Sequence, residues 1–241
     1  MTAQMSDSTT EPNSGKTLIR TLLILGASGD LTGRLLLPGL GKLIAQGRTR
    51  GLKVIGAGPG DWDGERWRKR VQTAFDGCTA NASDAGAQEL HRVQQSAEYH
   101  VVDVTDDGAL AKLLASVEPP AAVFFALPPA VSQKACELLK PEDIPEGTRL
   151  VLEKPFGTDR ESAASLNRTL LNLVPEDHIH RVDHFLGKAT VFNILGLRFA
   201  NRLLEPLWNN LHIEKIEIFY DESLALEGRA GYYDKAGACG T

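Results

Sequence analysis

The chain has 241 residues, 42% hydrophobic and 24% charged, the balance of an ordinary globular protein large enough for one α/β domain and part of a second. A net charge of −5 at pH 7 argues against a nucleic-acid or membrane-surface partner. Three scattered cysteines, Cys78, Cys136 and Cys239, give neither a disulfide framework nor a zinc site, and there is no signal-peptide core or membrane-length apolar run, so a cytoplasmic location is expected.

Residues 1–17 are polar and are expected to form a disordered tail. The run Thr21-Leu22-Leu23-Ile24-Leu25 ends at a glycine and reads as a strand buried on both faces. A helix is predicted over residues 34–46, a strand over 53–56, and a helix over 65–75 with Trp67, Val71 and Phe75 on one face. Residues 76–87, rich in Gly, Ala, Ser and Asn, read as a loop.

The alternation continues with a strand at 99–102 and a helix from Thr105 that carries Leu110, Leu113, Leu114 and Val117. Strands follow at 121–127 and 149–152, around a helix at 131–139. Thr158 and Glu161 form a capping-box pattern for a helix bearing Ala163, Leu166, Leu170 and Leu173. Repeated strand–helix units imply a Rossmann-type, doubly wound parallel sheet over residues 18–182. A helix at 188–204 and an alternating strand at 212–220 (Ile213, Ile216, Ile218) then open a second, α+β domain over 183–241, which is expected to be an incomplete antiparallel-sheet domain. That strand finds no later partner in the sequence.

Three stretches can carry chemistry. Gly26-Ala27-Ser28-Gly29-Asp30-Leu31-Thr32-Gly33 follows the first strand and opens a helix, where bare backbone N–H groups and the helix dipole suit a pyrophosphate; the alternative is a tight turn without ligand. Glu153-Lys154-Pro155-Phe156-Gly157 sits at the carboxyl end of a strand, where open α/β sheets place ligands. Pro155 can fix a tight, even cis, turn there; the alternative is a Glu153–Lys154 ion pair. Arg181-Val182-Asp183-His184-Phe185-Leu186-Gly187-Lys188 puts a carboxylate, an imidazole and an ammonium together. His184 and Lys188, four apart, can share a helical face and grip a phosphate; the alternative is a solvated loop. His178 and His180 lie two apart without a third ligand, so no metal is expected.

In that order, with Ala126-Leu127-Pro128-Pro129, Leu197-Arg198-Phe199-Ala200-Asn201, Glu205-Pro206-Leu207-Trp208-Asn209 and Gly228-Arg229-Ala230-Gly231-Tyr232-Tyr233-Asp234, the chain resembles the N-terminal half of glucose-6-phosphate dehydrogenases. The resemblance implies oxidation of glucose 6-phosphate to 6-phosphogluconolactone with NADP. It implies that Gly26, Ala27, Ser28, Gly29, Asp30 and Leu31 hold the cofactor pyrophosphate, and that Asp103 and Val104 lie near the adenosine. Lys154 would touch both ligands, His184 and Lys188 would bind the sugar phosphate, and Glu222 would bind sugar hydroxyls. Asp183 would orient a histidine base.

That base lies, in the family, just beyond the Gly-Tyr-Tyr-Asp run, so the chain is expected to be truncated, to bind dinucleotide weakly and to lack turnover. Homo-oligomers are expected only of a full-length form. Pro59 stands where the family carries its 2′-phosphate arginine, which leaves NAD open as the cofactor and Arg66 or Arg68 as substitutes. Gly33, Leu35, Phe185, Ala189 and Phe192 also depart from the family pattern. The alternative function is a non-catalytic nucleotide-binding protein.

Overall fold

The computed structural model describes residues 18–157, 159–217 and 219. β1 (Thr21–Leu25), β2 (Lys53–Gly58), β3 (Glu98–Val101), β4 (Ala121–Phe125), β5 (Arg149–Glu153) and β6 (Ile179–Val182) pair in the order β3-β2-β1-β4-β5-β6. Every pairing is parallel, with Leu23 between Ile55 and Val123. This is the doubly wound sheet implied by the alternating elements. Its strand order reverses between β1 and β4, which opens a crevice at their carboxyl ends.

Alternation along β1 explains how both faces are covered. Leu23 and Leu25 enter one core with Ile55, Val123, Phe125 and Leu150, capped by α4 (Ala109–Ala115), α5 (Pro129–Glu137) and α6 (Arg160–Leu173). Ile24 enters the other core with Val54, Leu37, Ile44 and Trp67, under α1 (Leu37–Ala45), α2 (Gly64–Asp76) and α3 (Asp84–Ser96). A strand buried on both faces needs apolar residues at every position, which is why the run at 21–25 does not alternate in polarity.

Five expectations are corrected. The loop predicted over 76–87 gives way at residue 84 to α3: Ser83 accepts a hydrogen bond from Gly86 N–H at 3.2 Å, and Leu90 and Val93 bury themselves. Helix formers and a serine cap outweighed the small residues before them. The helix predicted from Thr105 starts at Ala109, because Asp103 Oδ1 takes the Thr105 N–H at 2.9 Å and Gly108 turns left-handed.

The cap of α6 is Asp159, whose carboxylate accepts from Ser162 N–H at 2.8 Å; Thr158, expected in that role, lies outside the described residues. The helix predicted over 188–204 is α7 (Ala189–Phe199), which stops where Asn201 folds back to accept from Leu203 N–H at 3.1 Å. Residues 213–217 make no strand, since a strand needs a neighbour's N–H and C=O groups and none of the described residues supplies them. Ile218, Tyr220, Glu222, the motif at 228–234 and the tail at 1–17 lie outside the described residues.

The side chain of Phe125 is 1% exposed at the centre of the larger core. Phe125→Ala is expected to cost about 3–5 kcal/mol, read as a fall in the urea midpoint at unchanged slope.

Candidate functional site

The glycine loop is built by the first turn after β1. Gly26 N–H and Ala27 N–H both donate to Ala57 O, at 2.8 and 3.1 Å, and Gly29 N–H donates to Gly26 O at 2.9 Å. Gly26 holds φ at 80°, and a Cβ there would collide with the carbonyl oxygen of Ala126 at the end of β4. Only glycine lets the two loops of the crevice approach so closely. The Thr32 hydroxyl donates back to Gly26 O at 3.3 Å.

These bonds decide which donors remain for a ligand. Among the loop positions, the N–H groups of Ser28, Asp30 and Leu31 donate to no protein acceptor in the described residues. They sit where a helix begins and its dipole favours an anion. Ala27, by contrast, has its N–H engaged and its side chain fully buried, so neither group is offered to a ligand. The Asp30 carboxylate pairs with Arg34 at 2.9 Å one helical turn on.

Arg70, from α2, was not singled out in the sequence. Its guanidinium donates to Ser28 O at 3.1 Å and Gly29 O at 2.6 Å, clamping the loop from behind. Burial lowers its pKa, with neighbouring Arg66 adding to the fall and Asp30 opposing it. The available signal was the four-residue spacing of Arg66 and Arg70, which puts both on one helix face.

Asp103 and Val104 follow β3. The Asp103 carboxylate is occupied by Thr105, through the N–H at 2.9 Å and the hydroxyl at 2.7 Å, and those bonds lower its pKa. Val104 is buried in the core beneath, which leaves only its backbone for ligand contact.

On the other side of the crevice, β5 and β6 place their carboxyl ends together: Glu153 lies opposite Val182, and Lys154 N–H donates to Val182 O at 3.1 Å. The Lys154–Pro155 bond is cis, as the sequence allowed. Lys154 Nζ lies 3.7 Å from Asp183 Oδ2, both side chains partly sheltered. The alternative pair of Glu153 with Lys154 is not formed; the lysine turns to Asp183. Burial raises the pKa of Glu153, with the nearby Asp183 carboxylate adding to it.

His184 and Lys188 do not share a helical face. His184 opens a 3-10 turn over His184–Gly187, and Lys188 is the extended N-cap residue of α7. The backbone of 184–188 is a turn followed by an extended residue, not one continuous helix. Both residues still follow β6 directly, on the same edge of the sheet as Lys154.

Other groups are structural. Cys78 and Cys136 are buried and free, and burial pushes the Cys136 thiol up to about 12, so it stays protonated. His180 touches Arg149 at 3.4 Å, and burial with that cation lowers its pKa. Among the described residues no group of three or more His, Cys, Asp or Glu is placed to hold a metal ion, and no helix is long and apolar enough to cross a membrane.

Comparison with known proteins adds to this geometry. The family model described as glucose-6-phosphate dehydrogenase, NAD binding domain, matches residues 23–193. The model for the C-terminal domain of the same enzymes matches residues 195–240. A glucose-6-phosphate 1-dehydrogenase of Zymomonas mobilis is 36% identical over 91% of this chain and 46% of its own length. One of Bacillus subtilis is 37% identical over 90% and 46%.

Among solved structures, glucose-6-phosphate 1-dehydrogenase of Mycobacterium avium superposes with a TM-score of 0.71 at 33% identity, over 91% of this chain and 48% of that one. A structure described as glucose-6-phosphate dehydrogenase in complex with its substrate glucose-6-phosphate gives 0.73 at 31% identity, over 90% and 47%. The chain spans about half the length of the curated relatives it matches.

Two expectations follow from the site. Gly26→Ala forces a side chain into the Ala126 carbonyl at positive φ, so it is expected to destabilise the fold by more than about 1 kcal/mol and to abolish dinucleotide binding, read by denaturation and by calorimetric titration. Glu153 has a raised native pKa, so its stabilising contribution is full when it is protonated and is lost as pH rises through that value. Glu153→Gln should therefore raise stability at neutral pH, with the gain vanishing below about pH 4, where the unfolded carboxyl is protonated as well; urea midpoints across pH measure this.

Proposed function

The chain belongs to the glucose-6-phosphate dehydrogenase family, and on that premise we propose that it serves the oxidation of glucose 6-phosphate at C1 with reduction of NADP. The observation that carries this is the meeting, on one edge of one sheet, of the Gly26 loop with its three unengaged N–H donors and the Lys154–Asp183 pair. β1 and β5 are separated only by β4, so the strands that lead into the loop and into Lys154 run about 10 Å apart. That is a fitting span for a cofactor and a sugar side by side.

The residues fit the cofactor on the structure's own terms. A cradle that a Cβ at position 26 would fill, and free donors at a helix start, suit a pyrophosphate. When bound, the nicotinamide supplies the acceptor for the C1 hydride. In this reading Ser28, Asp30 and Leu31 hold the phosphates through their N–H groups, and Gly26 and Gly29 keep the turn tight.

Lys154 contributes a positive charge between cofactor and sugar, and Asp183 orients it. Asp183 also has the charge to steady an imidazolium, the role the family resemblance assigns to it. His184 and Lys188 bind the sugar phosphate, and Lys188, projecting from the start of α7, brings charge without needing a helical partner. Glu222 is assigned to the sugar hydroxyls on the resemblance alone.

Titration of the chain with glucose 6-phosphate in the presence of NADP tests the reading. Saturable binding is expected for glucose 6-phosphate and not for glucose. Lys154→Ala or Lys188→Ala should weaken it by roughly ten- to a hundred-fold, the range for loss of a charge-assisted hydrogen bond. Equal affinity for sugar and sugar phosphate would overturn it. Binding of NADP without saturable binding of glucose 6-phosphate would assign the chain to nucleotide binding alone.

A further inference from the structure

In a doubly wound sheet, the carboxyl end of the second strand meets the adenosine ribose. An acidic side chain there reads a free 2′-hydroxyl, and an arginine nearby accommodates a 2′-phosphate. Here β2 runs out as Ala57-Gly58-Pro59-Gly60, which offers neither group. The cations come from further along. Arg66, in the first turn of α2, stacks its guanidinium 4.4 Å from the ring centroid of Trp62, and Arg70 lies 5.1 Å from the same ring.

Tyr99 reaches in from β3, its ring 5.9 Å from that of Trp62. A Cβ at Gly58 would stand 3.1 Å from the Tyr99 hydroxyl and 3.8 Å from Ser28 Oγ, so the two hydroxyls close over the bare backbone of Gly58. The Tyr99 hydroxyl is buried and completes no hydrogen bond. Ser28 Oγ lies near enough to oppose the rise that burial imposes on the phenol, though the two are not aligned as a bonded pair.

We propose that Arg66, stacked on Trp62 and reinforced by the charge of Arg70, takes the 2′-phosphate of NADP, with the Ser28 and Tyr99 hydroxyls as neutral donors to the same phosphate. The inference rests on the dinucleotide reading above and adds to it the residues that choose between the two nicotinamide cofactors. The i, i+4 spacing puts both guanidiniums on the face of α2 that looks toward the loop. Arg68 points elsewhere, its Nη1 directed to Ala97 O at 3.5 Å on the α3 side.

Electrostatics favours the assignment. Two guanidiniums held against one indole repel each other, and Arg66 lowers the pKa of Arg70. Asp30 attracts Arg70 but is itself paired with Arg34. No carboxylate lies within ion-pair distance of Arg66 among the described residues. A phosphate dianion relieves that repulsion. A guanidinium can also stack on the indole and donate in its own plane, which an ammonium cannot. Arg70 already gives two nitrogens to the loop carbonyls, so Arg66 is the group with donors to offer.

The test compares Arg66→Gln with Arg68→Gln, two changes of equal charge on opposite faces of one helix. Calorimetry measures NADP and NAD affinity for each variant and for the unaltered chain, and denaturation midpoints verify folding. Arg66→Gln is expected to weaken NADP by roughly ten- to a hundred-fold while leaving NAD within about two-fold. Arg68→Gln should leave both unchanged. Equal NADP and NAD affinity in the unaltered chain, or indistinguishable effects of the two variants, would overturn the assignment and leave the dinucleotide reading intact. Failure of both cofactors to bind the folded chain would overturn both.

Discussion

A carbonyl oxygen resting where a side chain would otherwise be sets the geometry of this crevice. The Ala126 carbonyl, at the end of β4, approaches the α-carbon of Gly26 so closely that no Cβ fits between them. Because β1 and β4 are the strands at which the sheet changes direction, that contact fixes the width of the opening. The positive φ of Gly26 lets the chain turn under the Ala57 carbonyl, which takes two successive N–H groups. What is left for a ligand is the set of N–H groups just beyond, at Ser28, Asp30 and Leu31. Arg70 holds the loop in that shape through its two carbonyls.

The opposite wall works by charge. β5 and β6 end in register, so the consecutive Glu153 and Lys154 are brought to Asp183 by parallel pairing rather than by sequence proximity. Lys154 pairs with Asp183, and burial, with the Asp183 carboxylate nearby, raises the pKa of Glu153. The lysine's preference for Asp183 over its neighbour Glu153 follows from strand geometry, since successive side chains point to opposite faces.

Much of the fold is legible in the amino-acid sequence. Apolar runs at 21–25 and 121–125, each without polar alternation, already require covering helices on both faces. The residues that failed to announce themselves share one trait: their local pattern was outweighed by a single side-chain bond. Asp103 captured the Thr105 N–H and delayed a helix; Asn201 curled back and ended one; Ser83 nucleated α3 inside a stretch that looked like a loop. Such bonds depend on a rotamer, which periodicity does not encode.

The same division runs through the site. The amino-acid sequence alone determined the strand–helix alternation, the glycine turn, the lysine at a strand end and the Asp-His-Lys cluster, because each is written in neighbouring residues and obeys local backbone and periodicity rules. Only tertiary structure decided that Arg70 clamps Ser28 and Gly29, that Lys154 pairs with Asp183, that His184 and Lys188 part company at Gly187, and that Arg66 rather than Arg68 faces the loop over Trp62. These are contacts between segments up to 42 residues apart, or choices between helix faces. They are fixed by how the helices seat on the twisted sheet, and no local rule reaches that far.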